Sequence, residues 1–133
     1  METRTLTKAE TAELYKLRVP TLGQLVFLAE QCGHESSIVT ALAAYPNADR
    51  NDKVVILDYS NEHWNPGERL HQNHQLLAAV IAKGDCKLFY DDGINEFFIY
   101  RWVLGPETEP PLAHGHKLNE VVLEAALELW FPQ

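Results

Sequence analysis

The sequence predicts an α+β protein: an α/β/α sandwich with a β-α-β-β-α core around a small sheet, preceded by a helical N-terminal segment. Three observations predict it. Residues 86–104 read as an aromatic hairpin that is apolar on both faces. Residues 53–59 form a Val- and Ile-rich run suited to a buried strand. Residues 68–83 and 116–131 carry apolar side chains at helical spacing.

Taken in order, Thr7-Lys8-Ala9-Glu10 has the capping-box pattern, so a helix is expected from Lys8 to Arg18, broken by Pro20. Thr21-Leu22-Gly23-Gln24 repeats the box. Leu22, Leu25, Val26, Leu28, Ala29 and Cys32 follow at helical spacing, and Gly33 is the expected C-terminal cap. Ser36 or Ser37 is expected to cap a third helix running through Ala44, closed by Pro46. Residues 47–52 make a polar turn, the one credible internal boundary of a single domain over 1–133, with 1–50 as its helical segment and 51–133 as its core.

Lys53 to Tyr59 is read as a buried strand because its apolar run is continuous. Residues 60–67 are a loop, with Pro66-Gly67 marking a turn. The helix of residues 68–83, with Leu70, Leu77, Val80 and Ile81, is expected to be capped by Gly84. In the hairpin, Asp91-Asp92-Gly93 is the expected turn, with glycine accepting a positive φ. Alternation places Phe97, Ile99, Arg101 and Val103 on one face of the return strand and Phe98, Tyr100, Trp102 and Leu104 on the other. Cover by helices on both faces is the expectation, with residues 53–59 as the third strand. Residues 105–116 read as a proline-rich connection. The last helix is the clearest, carrying Leu118, Val121, Val122, Ala125, Ala126, Leu129 and Trp130 on one side before Pro132 ends it.

A chain of 133 residues, 46% hydrophobic and 23% charged, can bury a core of ordinary size. The net charge is −8, of which residues 51–133 carry −7. That part repels nucleic acid unless it binds a basic protein or mimics a polyanion; the plainer reading is that the acids confer solubility. Cys32 and Cys86 lie in apolar segments without metal-type spacing and read as reduced core residues of a cytoplasmic protein. No run is long enough to cross a membrane.

Asp58-Tyr59-Ser60, then a helix, then two strands, then the Asn119-to-Leu127 stretch NEVVLEAAL resembles the small phage ABA sandwich domain and the related NinX-like phage proteins. The resemblance covers residues 53–130 and rests on the Tyr-Ser step and the Ala-Ala-Leu helix. Lys117-Leu118-Asn119 stands where that family usually opens its last helix with proline. The resemblance implies an α/β/α sandwich from a phage or mobile element, and it implies no catalytic residues.

Four constellations could carry chemistry. His71 and His74 lie three apart on a helix, and His114 and His116 flank a glycine; with Glu68, Asp58 or Glu62 they could hold a metal, although surface and packing roles are the plainer reading. Neither cysteine has a His-paired signature, and Ser36-Ser37 lacks a nucleophile elbow. The stripe Phe98, Tyr100, Trp102, with Tyr90 opposite, is core if helices cover it and a binding platform if they do not. Trp64, among Glu62, His63 and Asn65, either closes the core or contacts a partner.

Glu62, His63, Trp64 and Asn65, together with His114 and His116, form the expected binding surface. No cofactor is implied. The function expected is a non-enzymatic phage or mobile-element accessory protein that binds a host protein, such as a host-defence factor or a basic nucleic-acid-binding enzyme. Direct binding of nucleic acid or membrane is not expected. A small-ligand-sequestering protein is the alternative, and a metal-dependent enzyme using the histidines is a further one. A homodimer is open too, since a three-stranded sheet leaves edges.

Overall fold

The computed structural model describes residues 18–41, 52–101 and 110–133. The helix expected from Lys8 to Arg18, the turn at 47–51 and Trp102 to Leu104 lie outside the described residues. In chain order the elements are α1 (Leu22–Gln31), β1 (Ser36–Thr40), β2 (Lys53–Leu57), α2 (Leu70–Gly84), β3 (Cys86–Asp91), β4 (Glu96–Arg101), β5 (Ala113–Gly115) and α3 (Leu118–Trp130). The protein is α+β, and its described strands form two small antiparallel sheets ordered β1-β2 and β3-β4-β5.

α1 starts and stops where its residues direct. The Gln24 N–H donates to Thr21 Oγ1 at 3.1 Å, and the Thr21 N–H donates to Gln24 Oε1 at 3.0 Å, closing the capping box. At the other end Gly33 takes φ 82°, the Gly33 N–H donates to Glu30 O, and the His34 N–H donates to Ala29 O. That pair of bonds is a Schellman motif, which satisfies carbonyls the helix leaves open.

Ser36 and Ser37 do not cap a helix. They open β1, which pairs with β2 from Ser36 opposite Leu57 to Thr40 opposite Lys53. The β-branched run Ile38-Val39-Thr40 fits a pleated strand, and Val54 to Leu57 supply its partner. The Ser37 hydroxyl instead donates to Asp58 Oδ1 at 2.6 Å.

The third strand of the hairpin sheet is β5, not the 53–57 strand. Residues 113–115, expected within a connection, pair with β4 from Phe97 opposite Gly115 to Ile99 opposite Ala113. The Leu112 N–H adds a bond to Ile99 O at 2.8 Å. Pro110-Pro111 keeps this strand short, because proline has no N–H to give a ladder. The hairpin turn is also displaced. It spans residues 92–95, and Asn95, at φ 52°, takes the left-handed position expected of Gly93.

The core joins Leu28 and Ala29 of α1, Val55 and Leu57 of β2, Leu76 and Val80 of α2, Cys86, Ile99 and Ala113 of the larger sheet, and Val121 to Leu127 of α3. Among the described residues, α2 and α3 thus pack on the Cys86–Ile99–Ala113 face of that sheet. The opposite face, where helical cover was expected too, contributes nothing to the buried cluster. Gly84 lies inside α2 rather than capping it. A Cβ there would come within 2.3 Å of Leu129 Cδ2, so glycine is what lets α2 approach α3. Asp85 takes the left-handed cap position at φ 50°.

Candidate functional site

After Leu57 the chain doubles back along the free edge of β2. Asn61 makes the reversal with φ 56°. The Leu57 N–H donates to Glu62 O, the Trp64 N–H donates to Val55 O, both at 2.8 Å, and Ile56 bridges to His63. This register turns Trp64 inward. Its side chain is wholly buried, in the same cluster as Val55, Leu57 and Leu76, with the His34 ring set edge-on 5.6 Å away. Trp64 is therefore not the exposed contact residue considered from the sequence. An indole carries enough apolar area that burying it outweighs its polar neighbourhood in the chain. Its Nε1 has no hydrogen-bond partner among the described residues.

The residues around Trp64 serve to hold the loop. Gln72, fully buried, donates through Nε2 to His63 O at 2.7 Å and Glu62 Oε1 at 3.0 Å, and accepts from the Asn65 N–H at 2.6 Å. Asn73, also buried, donates to Pro66 O and Asn119 O. Asn65 Nδ2 donates to Glu68 Oε2 at 3.0 Å. Glu62 accepts from His71 Nε2 and lies 3.7 Å from Arg69 Nη1. Partial burial pushes its carboxyl up, but the hydrogen bonds from His71 and Gln72 and the charges of His71 and Arg69 outweigh this and hold it below the usual carboxylate range. His63 is pushed down by burial and further by Arg69, with Glu68 opposing. His71 thus meets Glu62, whereas His74 is exposed on α2. Among the described residues no three His, Cys, Asp or Glu side chains gather as a metal site.

His114 and His116 belong to a different surface. His116 donates through Nδ1 to Asn95 O at 2.7 Å, and His114 Nδ1 lies 3.0 Å from Glu96 Oε1, so both pin β5 against the hairpin end. Their hydrogen bonds and ring contact run to Asn95, Glu96 and Phe98 of the hairpin. The two halves of the expected binding surface are thus built by different elements, and the second belongs to the sheet face that α2 and α3 leave uncovered.

That face follows from register. Lys87 pairs with Tyr100, Phe89 with Phe98, Asp91 with Glu96, and Phe98 with His114. Directly opposed residues share a face, so these seven side chains project away from α2 and α3. Their rings form a ladder. Phe89 meets Tyr100 edge-on at 5.7 Å, Phe98 stacks near Tyr100 at 6.2 Å, and Phe98 stacks on His114 at 5.7 Å with an interplanar angle of 14°. Phe98 and Tyr100 are half-buried and Phe89 is 39% exposed, so the stripe is neither closed core nor bare. Trp102, expected to extend it, lies outside the described residues. Asp91 and Glu96, with Asp92 in the turn, set carboxylates at one end of the ladder, and Lys87 stands towards the other. Flat rings in register beside carboxylates can hold an apolar or cationic group by contact alone.

The thiols are poor nucleophiles. Burial raises the Cys32 thiol to about 11 despite the opposing charge of Lys83, and burial also raises that of Cys86, which Arg101 only partly offsets. No helix among the described residues is long and apolar enough to cross a membrane. In comparisons with known proteins, no family model, curated protein or solved structure matches the chain.

Proposed function

We propose that this protein is a non-enzymatic accessory factor of a phage or mobile element. It acts by binding a basic host protein, as an inhibitor of host defence or of a nucleic-acid-binding enzyme. The observation that carries the binding role is the ladder of Phe89, Phe98, Tyr100 and His114 on the side of the larger sheet away from α2 and α3, with Asp91, Asp92 and Glu96 at one end. Half-covered aromatics in a protein that carries −7 over residues 51–133 suit a partner with an apolar anchor inside a basic surround. Burial of both thiols disfavours a cysteine nucleophile. The phage origin rests on the resemblance of residues 53–130 alone.

The test is capture of partners from the native host by the tagged full chain, beside Phe89→Ala and Asp91→Asn variants. A partner identified by mass should be lost with Phe89→Ala. Its affinity for the wild type should fall steeply between low and physiological salt, as for an acidic surface on a basic one. A captured set unchanged by both variants would remove the sheet face as the binding surface.

A further inference from the structure

The turn that joins β3 to β4 is fixed by side chains on both of its arms and from outside the hairpin. The Gly93 N–H donates to Asp91 Oδ1 at 2.9 Å, and the Tyr90 hydroxyl donates to Asn95 Oδ1 at 2.6 Å. His116, which follows β5 directly, donates through Nδ1 to Asn95 O at 2.7 Å. Asn95 itself closes the turn in the left-handed conformation. Within that frame stands Ile94, a β-branched residue in a turn, with 52% of its surface exposed. Tyr90 is exposed to the same extent, and its ring leans on Phe97 at 4.7 Å. Register puts the Tyr90–Phe97 pair on one face of the hairpin end and the Asp91–Glu96 pair on the other. Residues 88–100 carry Asp91, Asp92 and Glu96 and no lysine or arginine. The end of the hairpin is thus an apolar point set among carboxylates.

We propose that this tip is the part of the molecule that enters its partner. Ile94 fills an apolar pocket on the basic host protein, Tyr90 covers the pocket's edge, and Asp91 and Asp92 meet lysine or arginine side chains on its rim. The inference rests on the host-binding reading above and names the anchor that this chain supplies. Two physical arguments carry it. A turn already tied down at Gly93 and Asn95 loses little conformational freedom on docking, so more of the contact energy appears as affinity. A central apolar residue inside a ring of charged ones is also the arrangement in which a single side chain dominates binding, because the ring keeps water from the anchor. The excess of carboxylates selects a pocket with a basic rim and rejects one with an acidic rim.

Two measurements on the full chain test this. The first needs no partner. Amide order parameters over residues 92–95 should be about 0.85, as in the flanking strands; values below about 0.6 would mean a loose tip and overturn the proposal. The second takes the partner captured from the native host and identified by mass, purifies it and titrates it against variants. Ile94→Ser should keep the native circular dichroism and weaken binding by about tenfold or more. Asp92→Asn should flatten the salt dependence of binding relative to the wild type. A partner that binds Ile94→Ser as tightly as the wild type but is lost with Phe89→Ala would overturn the tip as anchor and leave the host-binding reading standing. Equal salt dependence in the wild type and Asp92→Asn would remove the basic rim and the proposal with it. A wild type that captures no partner would end the host-binding reading and this inference together.

Discussion

Trp64 and Gln72 decide whether the loop before α2 exists. Trp64→Ala opens a cavity in a close-packed cluster, and a loss of about 3–5 kcal/mol is expected in urea denaturation. Trp64→Phe should cost far less. It keeps a ring in the cluster and removes a buried Nε1–H that has no partner among the described residues, a group whose desolvation costs about 1–3 kcal/mol. Gln72→Leu is nearly the same size, but it orphans the Asn65 N–H and the His63 carbonyl; about 2–4 kcal/mol of destabilisation is expected from the same measurement. Neither role could be read beforehand. Trp64 stands among Asn, Glu and His, and its inward turn depends on a loop register set by backbone bonds to Val55 and Leu57. Gln72 is one more polar residue on an amphipathic helix until the carbonyl it faces is known.

Elements whose ends are set by their own residues were legible, and those set by distant neighbours were not. The boundaries of α1 follow from Thr21, Gln24 and Gly33, all within one turn of the bonds they make. Ser36 to Ala44 is expected to be a capped helix, and pairing with β2, thirteen or more residues later, makes Ser36–Thr40 a strand instead. β5 is invisible in the same way, since three residues carry no periodicity of their own. The outward side of β4 could be listed as a stripe, but its incomplete cover depends on which face the helices choose. Glycine often ends helices, so the sequence points to Gly84 as a cap, yet Leu129, packed against it from α3, is its real constraint. Two substitutions separate these roles by thermal denaturation. Gly84→Ala gains up to about 1 kcal/mol in helix propensity but loses about 1–3 kcal/mol to overpacking, so the melting temperature should fall. Asp85→Gly, at φ 50°, relieves a left-handed residue and should raise it.

At the scale of the whole molecule, acid should destabilise the fold in two stages, both traceable to the 60–72 region. His63 is pushed below its ordinary value of 6.5 in the folded protein, so the unfolded chain takes up its proton first. Stability is therefore constant for this group above about 6.5 and declines as pH falls through that value. Glu62 is held below its ordinary 4.5, so its contribution is present above 4.5 and is lost as pH falls through the lower folded value. The two effects have the same sign and occupy separate windows. The general repulsion of a −8 chain acts oppositely, since protonating carboxylates relieves it, and salt screens it. At fixed, moderate ionic strength the urea midpoint should thus fall from pH 7.5 to about pH 5.5 in the wild type and change little over that range in His63→Asn, which cannot titrate there. Below about pH 4.5 the two proteins should decline together, and Glu62→Gln should flatten that second stage. A wild-type midpoint that rises between pH 7.5 and 5.5 would mean that relief of net charge, not the burial of His63, governs stability in that window.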